Sequence, residues 1–137
     1  MTSETQYHAL APVLLVEAIE PCLPFWRDRL GFSVEMEVPE GDALGFVILA
    51  GDDVRVMYQS RASVRNDMPV LAEQEFVSCN GLYISVASID DVDRRLEGIE
   101  RVVPRRKTFY GATEIGVHEP SGYFVMFAEH EAQGTDG

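Results

Sequence analysis

The sequence predicts an α+β domain: two βαβββ modules forming one curved mixed sheet with a central cleft. Three observations carry this prediction. The order strand, helix, three strands reads twice along 137 residues. The last strands of the two halves match, Arg55-Val56-Met57-Tyr58 with Phe124-Val125-Met126-Phe127. The chain has the length of one domain rather than two independent cores. A period of roughly 70 residues is too long for a solenoid unit and fits two fused copies of one module.

Module one occupies about residues 9–60 and opens with a strand at 10–16, rich in apolar and β-branched residues. Ile19, Cys22, Leu23, Trp26 and Leu30 then form one apolar stripe, which predicts a helix over 19–31. Pro21 and Pro24 fall in its first turn, where a missing N–H costs least. Gly31 is its stop. Strands follow at 32–38, 44–49 and 54–59, with turns at 39–42 and 51–53.

Residues 61–80 read as a linker with one helical turn. Module two occupies about 81–130 and repeats the order. A strand at 82–87 leads into a helix over 89–98. Ser88 and Asp91 resemble a capping box at its start, and Gly98 ends it. Strands follow near 101–103, 113–117 and 124–128. The first eight residues and the tail after His130 read as loose polar ends, all within one domain spanning 1–137.

Composition narrows the function. The net charge of −12 disfavours contact with phosphate backbones and anionic membrane surfaces, so neither nucleic acid nor membrane is an expected partner. Arg101, Arg105, Arg106 and Lys107 form a local basic cluster that reads as a solvated loop face. Cys22 and Cys79 stand in no paired or metal-binding spacing, and Cys22 lies on the apolar helix stripe as a small buried hydrophobe. No signal segment or membrane-length apolar run is present, so the expected location is cytoplasmic.

Alternation assigns the two faces of each sheet. Leu10, Leu14 and Val16, with Leu82, Ile84 and Val86, face the helices. Ala11, Val13, Arg55, Met57, Gln59, Tyr83, Phe124 and Met126 face the cleft and are the candidate ligand-binding residues.

Two motifs carry a family resemblance. Residues 24–32, Pro-Phe-Trp-Arg-Asp-Arg-Leu-Gly-Phe, resemble the "FYxxxLGF" of the vicinal-oxygen-chelate superfamily, and Glu119-Pro120-Ser121-Gly122-Tyr123 resembles its "DPDGY" turn. With the repeated βαβββ order the resemblance covers residues 10–130. It implies the fold, and it implies a choice among lyases, isomerases, dioxygenases, antibiotic-modifying transferases and antibiotic-binding proteins, which only the site can decide.

The resemblance also implies where metal-dependent members keep their ligands. Those positions correspond here to Ala11, Met57, Gly81 and Met126. Alanine and glycine carry no donor atom and methionine is a soft thioether, so no metal or other cofactor is expected. His8, His118 and His130 lie outside these positions. There is no GxSxG, no phosphate loop and no HExxH. The expected function is metal-free binding of a partly apolar or aromatic small molecule, resembling the bleomycin-resistance branch. The expected assembly is a homodimer, common in that family. The alternative is a glyoxalase-like lyase or a dioxygenase, metal-dependent or using an acid or base that the sequence does not reveal.

Overall fold

The computed structural model describes residues 5–6, 8–76 and 81–132. The expectations for residues 1–4, for Cys79 and for the tail beyond 132 lie outside these residues. Module one contains β1 (Val13–Val16), β2 (Ser33–Glu40), β3 (Ala43–Gly51) and β4 (Val54–Ser60). Helix α1 (Arg61–Asp67) follows it. Module two contains β5 (Gly81–Ser85), α2 (Ile89–Arg95), β6 (Val103–Lys107), β7 (Ala112–His118) and β8 (Phe124–His130).

The strands pair in the order β1-β4-β3-β2 and, separately, β5-β8-β7-β6. The first and last strands of each module run parallel; the other neighbours are antiparallel. Val13 pairs with Met57 in one sheet and Tyr83 with Met126 in the other. The match of the two last strands read from sequence is therefore structurally in register.

The expected single curved sheet is thus two four-stranded sheets. β1 and β5 are both edge strands, and they share no ladder. At the outer edge of β1 the Tyr123 hydroxyl lies 2.9 Å from the Leu15 carbonyl and 2.5 Å from the Phe76 carbonyl.

Several elements differ from their sequence reading. The expected helix over 19–31 is a 3₁₀ turn, Glu20–Cys22, running into a π-helical stretch, Pro24–Arg29. Two prolines remove donors inside the run, and the ladder re-closes with a wider span, Leu30 N to Phe25 O at 3.3 Å. Gly31 does end it, at φ +81°. Leu10 precedes β1 and is 92% exposed rather than packed on a helix. The linker's single turn is the seven-residue helix α1 plus a 3₁₀ turn, Pro69–Leu71. The strand expected at 101–103 lies at Val103–Lys107, so three of the four clustered basic residues have other surroundings than a free loop. Arg105 pairs with Asp90 and Asp93, Arg106 with Glu114 and Lys107 with Glu131. Arg101 pairs with Asp93 at 2.6 Å. His130 ends β8 and is not in the tail.

The Ser88 cap is formed as expected, its Oγ accepting from Asp91 N at 3.1 Å. One core runs through both modules. Leu14, Val16, Trp26, Val47, Leu49 and Val56 meet Ile84, Leu96, Ile115, Val117, Val125 and Phe127 in it. Each such side chain contributes about 1.5–3 kcal/mol on full burial. Packing helices and core side chains between the sheets leaves the opposite face of each sheet open.

Candidate functional site

The open face of the first sheet follows from register. Met57 on β4 lies beside Val13 on β1 and Ile48 on β3, and Ile48 lies beside Met36 on β2. Phe46 and Val38 continue the same face. Val13, Met36 and Val38 are 46%, 50% and 45% exposed, so this is a largely apolar surface in contact with water. Arg55 is engaged on it. Its Nε donates to Glu35 at 3.1 Å and its Nη1 to the Asp52 carbonyl at 2.8 Å. Gln59 is buried, with Nε2 donating to Ser63 Oγ at 3.0 Å, where α1 covers that end of the sheet. Ala11 is half-buried just before β1.

The second sheet's open face is different. Tyr83 and Met126 stand side by side, and Gly81 pairs with Phe124. The Phe124 ring lies across two glycines: a Cβ at Gly81 or at Gly116 would come within 2.8 Å of it. Tyr83, Arg106, Tyr110, Glu114, Phe124 and Met126 line a concavity of about 350 Å³. Its lining comes from module two alone. Tyr83, Phe124 and Met126 therefore come together, while Val13, Arg55, Met57 and Gln59 belong to the other sheet's face. The expected cleft shared by both modules is replaced, within one chain, by two separate open faces.

The second face is organised around Glu114, which is fully buried in the middle of β7. Arg106 sits opposite it in register on β6. The guanidinium reaches Oε1 through Nε at 3.2 Å and Nη2 at 3.0 Å. The Tyr83 hydroxyl donates to Oε2 at 3.1 Å, and the Tyr110 hydroxyl donates to the same oxygen. Burial alone would raise the Glu114 carboxyl; the hydrogen bonds from Tyr110, Arg106 and Tyr83 outweigh it and hold the group below its ordinary value. The phenols shift the other way. Tyr83 is raised by desolvation and then by Glu114; Tyr110 is raised first by its bond to Glu114. At neutral pH the carboxylate is charged, both phenols keep their protons, and both protons point at Glu114. The phenol oxygens can then only accept from outside. Tyr83 Oη also lies 3.0 Å from His130 Nε2.

The sequence reading missed Glu114, Arg106, Tyr110 and His130. A lone Glu in a strand reads as a solvent-facing position, and only the β6–β7 register brings Arg106 against it. The cleft-facing parity of Phe124 and Met126, carried across to β7, is the signal that points at Glu114.

The four positions that the sequence resemblance assigns to metal ligands do not fit a metal here. Ala11, Met57, Gly81 and Met126 offer no oxygen or nitrogen side chain. Among the described residues no group of three or more His, Cys, Asp or Glu side chains is placed to hold an ion. Glu114, on the same face, already has a guanidinium where a cation would sit. His118 packs its ring against Phe124, with centroids 6.2 Å apart, and His8 lies in an exposed segment.

No protein-family model matches the chain. No curated protein matches it either. Solved structures do. A glyoxalase/bleomycin resistance protein/dioxygenase from Nocardioides is 19% identical, with 98% of this chain and 91% of that one covered and a TM-score of 0.69. A lactoylglutathione lyase from Agrobacterium tumefaciens is 16% identical, covering 91% and 95%, with a TM-score of 0.69. A bleomycin-binding protein from Streptomyces verticillus, solved with copper(II)-bleomycin, is 20% identical, covering 93% and 100%, with a TM-score of 0.62. At this identity the likeness is one of fold, and the two-module fold of these proteins is the fold of this chain.

Proposed function

We propose that this chain, built on the vicinal-oxygen-chelate fold, is a small-molecule-binding protein that holds a partly apolar or aromatic ligand without a metal. The observation that carries this reading is the Glu114–Arg106 pair with its two tyrosines. The charges of the second face are spent on each other. What remains for a ligand is aromatic and thioether surface, from Tyr83, Tyr110, Phe124 and Met126, edged by phenol oxygens able to accept. Apolar walls with a few oriented polar atoms suit a planar ligand bearing an N–H or O–H donor. The bleomycin-binding neighbour gives the same fold a binding role. Elemental analysis after gentle purification tests the metal-free part, together with turnover assays with and without added Ni²⁺, Mn²⁺, Fe²⁺ or Zn²⁺. The reading expects no stoichiometric metal and no restored turnover.

A second reading, a lyase or dioxygenase using an acid or base of its own, rests on the Tyr83–His130 contact at 3.0 Å. Glu114 argues against it, because a carboxylate that accepts from three side chains and is held below its ordinary value is a poor base.

We infer a homodimer as well. The exposed Val13, Met36 and Val38 form a contiguous apolar sheet face of the kind a second copy covers. Work in the cytoplasm fits Cys22, a buried thiol that forms no disulfide among the described residues.

A further inference from the structure

A second cavity, of about 790 Å³, lies where the modules meet, between the free edge of β5 and the β3–β4 turn. Phe32, Val54, Ile84, Val92 and Phe127 form its apolar walls, and Ser85 lies on its β5 side. The internal repeat shows what such a place holds on the other side of the molecule. Met57 corresponds to Met126, so Val13 corresponds to Tyr83, Leu15 to Ser85 and Val54 to Tyr123.

In one of the two places Tyr123 fills the space. Its ring is buried, and its hydroxyl crosses the module boundary to lie 2.9 Å from the Leu15 carbonyl and 2.5 Å from the Phe76 carbonyl, one proton shared between two acceptors. In the other place the corresponding residue is Val54, which follows a two-residue turn and carries neither ring nor hydroxyl. The backbone there has the matching orientation. Val86 N donates to Ala128 O at 2.8 Å, so by the alternation of a parallel ladder the N–H and C=O of Ser85 point to the free edge. Met57 N donating to Pro12 O at 3.0 Å fixes the same alternation on β1, which is what puts the Leu15 carbonyl within reach of Tyr123. The two edges thus offer the same acceptor, and among the described residues only one has a phenol on it.

We propose that this inter-module cavity is a second small-molecule site, and that it takes a phenol. The ring lies among Phe32, Val54 and Val92, and the hydroxyl donates to the Ser85 carbonyl as Tyr123 does to Leu15. The volume falls within the usual range for ligand pockets and leaves room for a second ring. The site is independent of the face around Glu114 and does not rest on the reading given to that face.

The test is amide NMR of the full chain titrated with 4-methylphenol, and separately with toluene, which has the ring without the donor. Saturable shifts at Val54, Ser85 and Val86 are expected, with toluene about tenfold weaker, the worth of one hydrogen bond. Val54→Tyr supplies the missing phenol from the chain itself and is expected to abolish 4-methylphenol binding while the spectrum stays folded. Equal affinity for toluene, unchanged binding by a folded Val54→Tyr, or shifts confined to the Tyr83 and Met126 face would each overturn the proposal. So would concentration-dependent shifts of the same amides without phenol, which would mean that a second copy fills the cavity. The toluene comparison needs no variant, so it decides even if Val54→Tyr does not fold.

Discussion

The Tyr58 hydroxyl on β4 donates to Oε2 of Glu119, 61 residues away at the end of β7, and this buried bond joins the two modules. Trp26 Nε1 donates to the Tyr58 oxygen at 2.8 Å, tying the first helical segment into the same chain of bonds. Glu119 Oε1 accepts from Ser121 Oγ at 2.5 Å and from Tyr123 N at 2.8 Å. The carboxylate therefore holds together the turn that presents Tyr123 to β1.

Tyr58→Phe removes the hydroxyl and leaves two buried partners, Trp26 Nε1 and Glu119 Oε2, without it. Each such orphan costs about 1–3 kcal/mol, so a loss of about 2–6 kcal/mol in unfolding free energy is expected. Urea denaturation of both proteins measures it. A change below about 0.5 kcal/mol, the range of ordinary surface substitutions, would mean the bond is not a junction.

The same cluster makes stability depend on alkaline pH. Burial and the nearby Glu119 push the Cys22 thiol up to about 11 from an ordinary 9.0, and push the Tyr58 phenol up as well. Both groups hold their protons more tightly when folded. Their contribution is complete below the ordinary values and declines as pH rises beyond them toward the folded ones. Melting temperature is expected to fall from about pH 9 upward, and less steeply in Tyr58→Phe. Parallel slopes in the two proteins would contradict the assignment to Tyr58.

Glu114→Gln is expected to lower the pKa of both Tyr83 and Tyr110 toward the ordinary phenol value, because the negative charge that helps to raise them is gone, and to move Tyr83 less, since its desolvation remains. NMR titration of the tyrosine ring carbons reads each phenol separately. If neither moves, the hydrogen bonds from Tyr83 and Tyr110 to Glu114 are not maintained in solution.

Gly116→Ala would place a Cβ 2.8 Å from the Phe124 ring and 3.0 Å from Val103 Cβ. One neighbour belongs to the backbone-adjacent part of a strand, so the ring must give way. A destabilisation of about 1–3 kcal/mol is expected, together with weaker binding of any ligand that stacks on Phe124. Calorimetry before and after the substitution checks the first effect; unaltered stability would show that the ring is free to leave the two glycines.

The module order was legible because β3 alternates cleanly and Gly31 stops the first helical run, whereas α2 ends at Arg95, short of the Gly98 stop read from sequence. The pairing of Val13 with Met57 and of Tyr83 with Met126 was legible through the repeated last strand. The winding of the first helical segment was not, since two prolines break a ladder that the apolar stripe still satisfies. The separation of the two sheets was hidden as well, because strand alternation does not say whether the edge strands β1 and β5 share a ladder. For the site, the apolar members Phe124 and Met126 could be read from parity. Glu114 could not, because a buried carboxylate is told from a solvated one only by its partners, and Arg106 and Tyr110 reach it through register and a turn.

The central claim is that the face around Glu114 binds an aromatic ligand without a metal. The most direct measurement labels the methionine methyl groups with ¹³C and titrates an aromatic fragment library into protein kept in EDTA. Met126 reports the second face and Met57 the first. The account predicts saturable movement of the Met126 methyl with donor-bearing aromatic fragments, unchanged by removing EDTA and lost in the Phe124→Ala variant. Movement that appears only when a divalent ion is added, or a Met126 methyl that no fragment shifts, would contradict it.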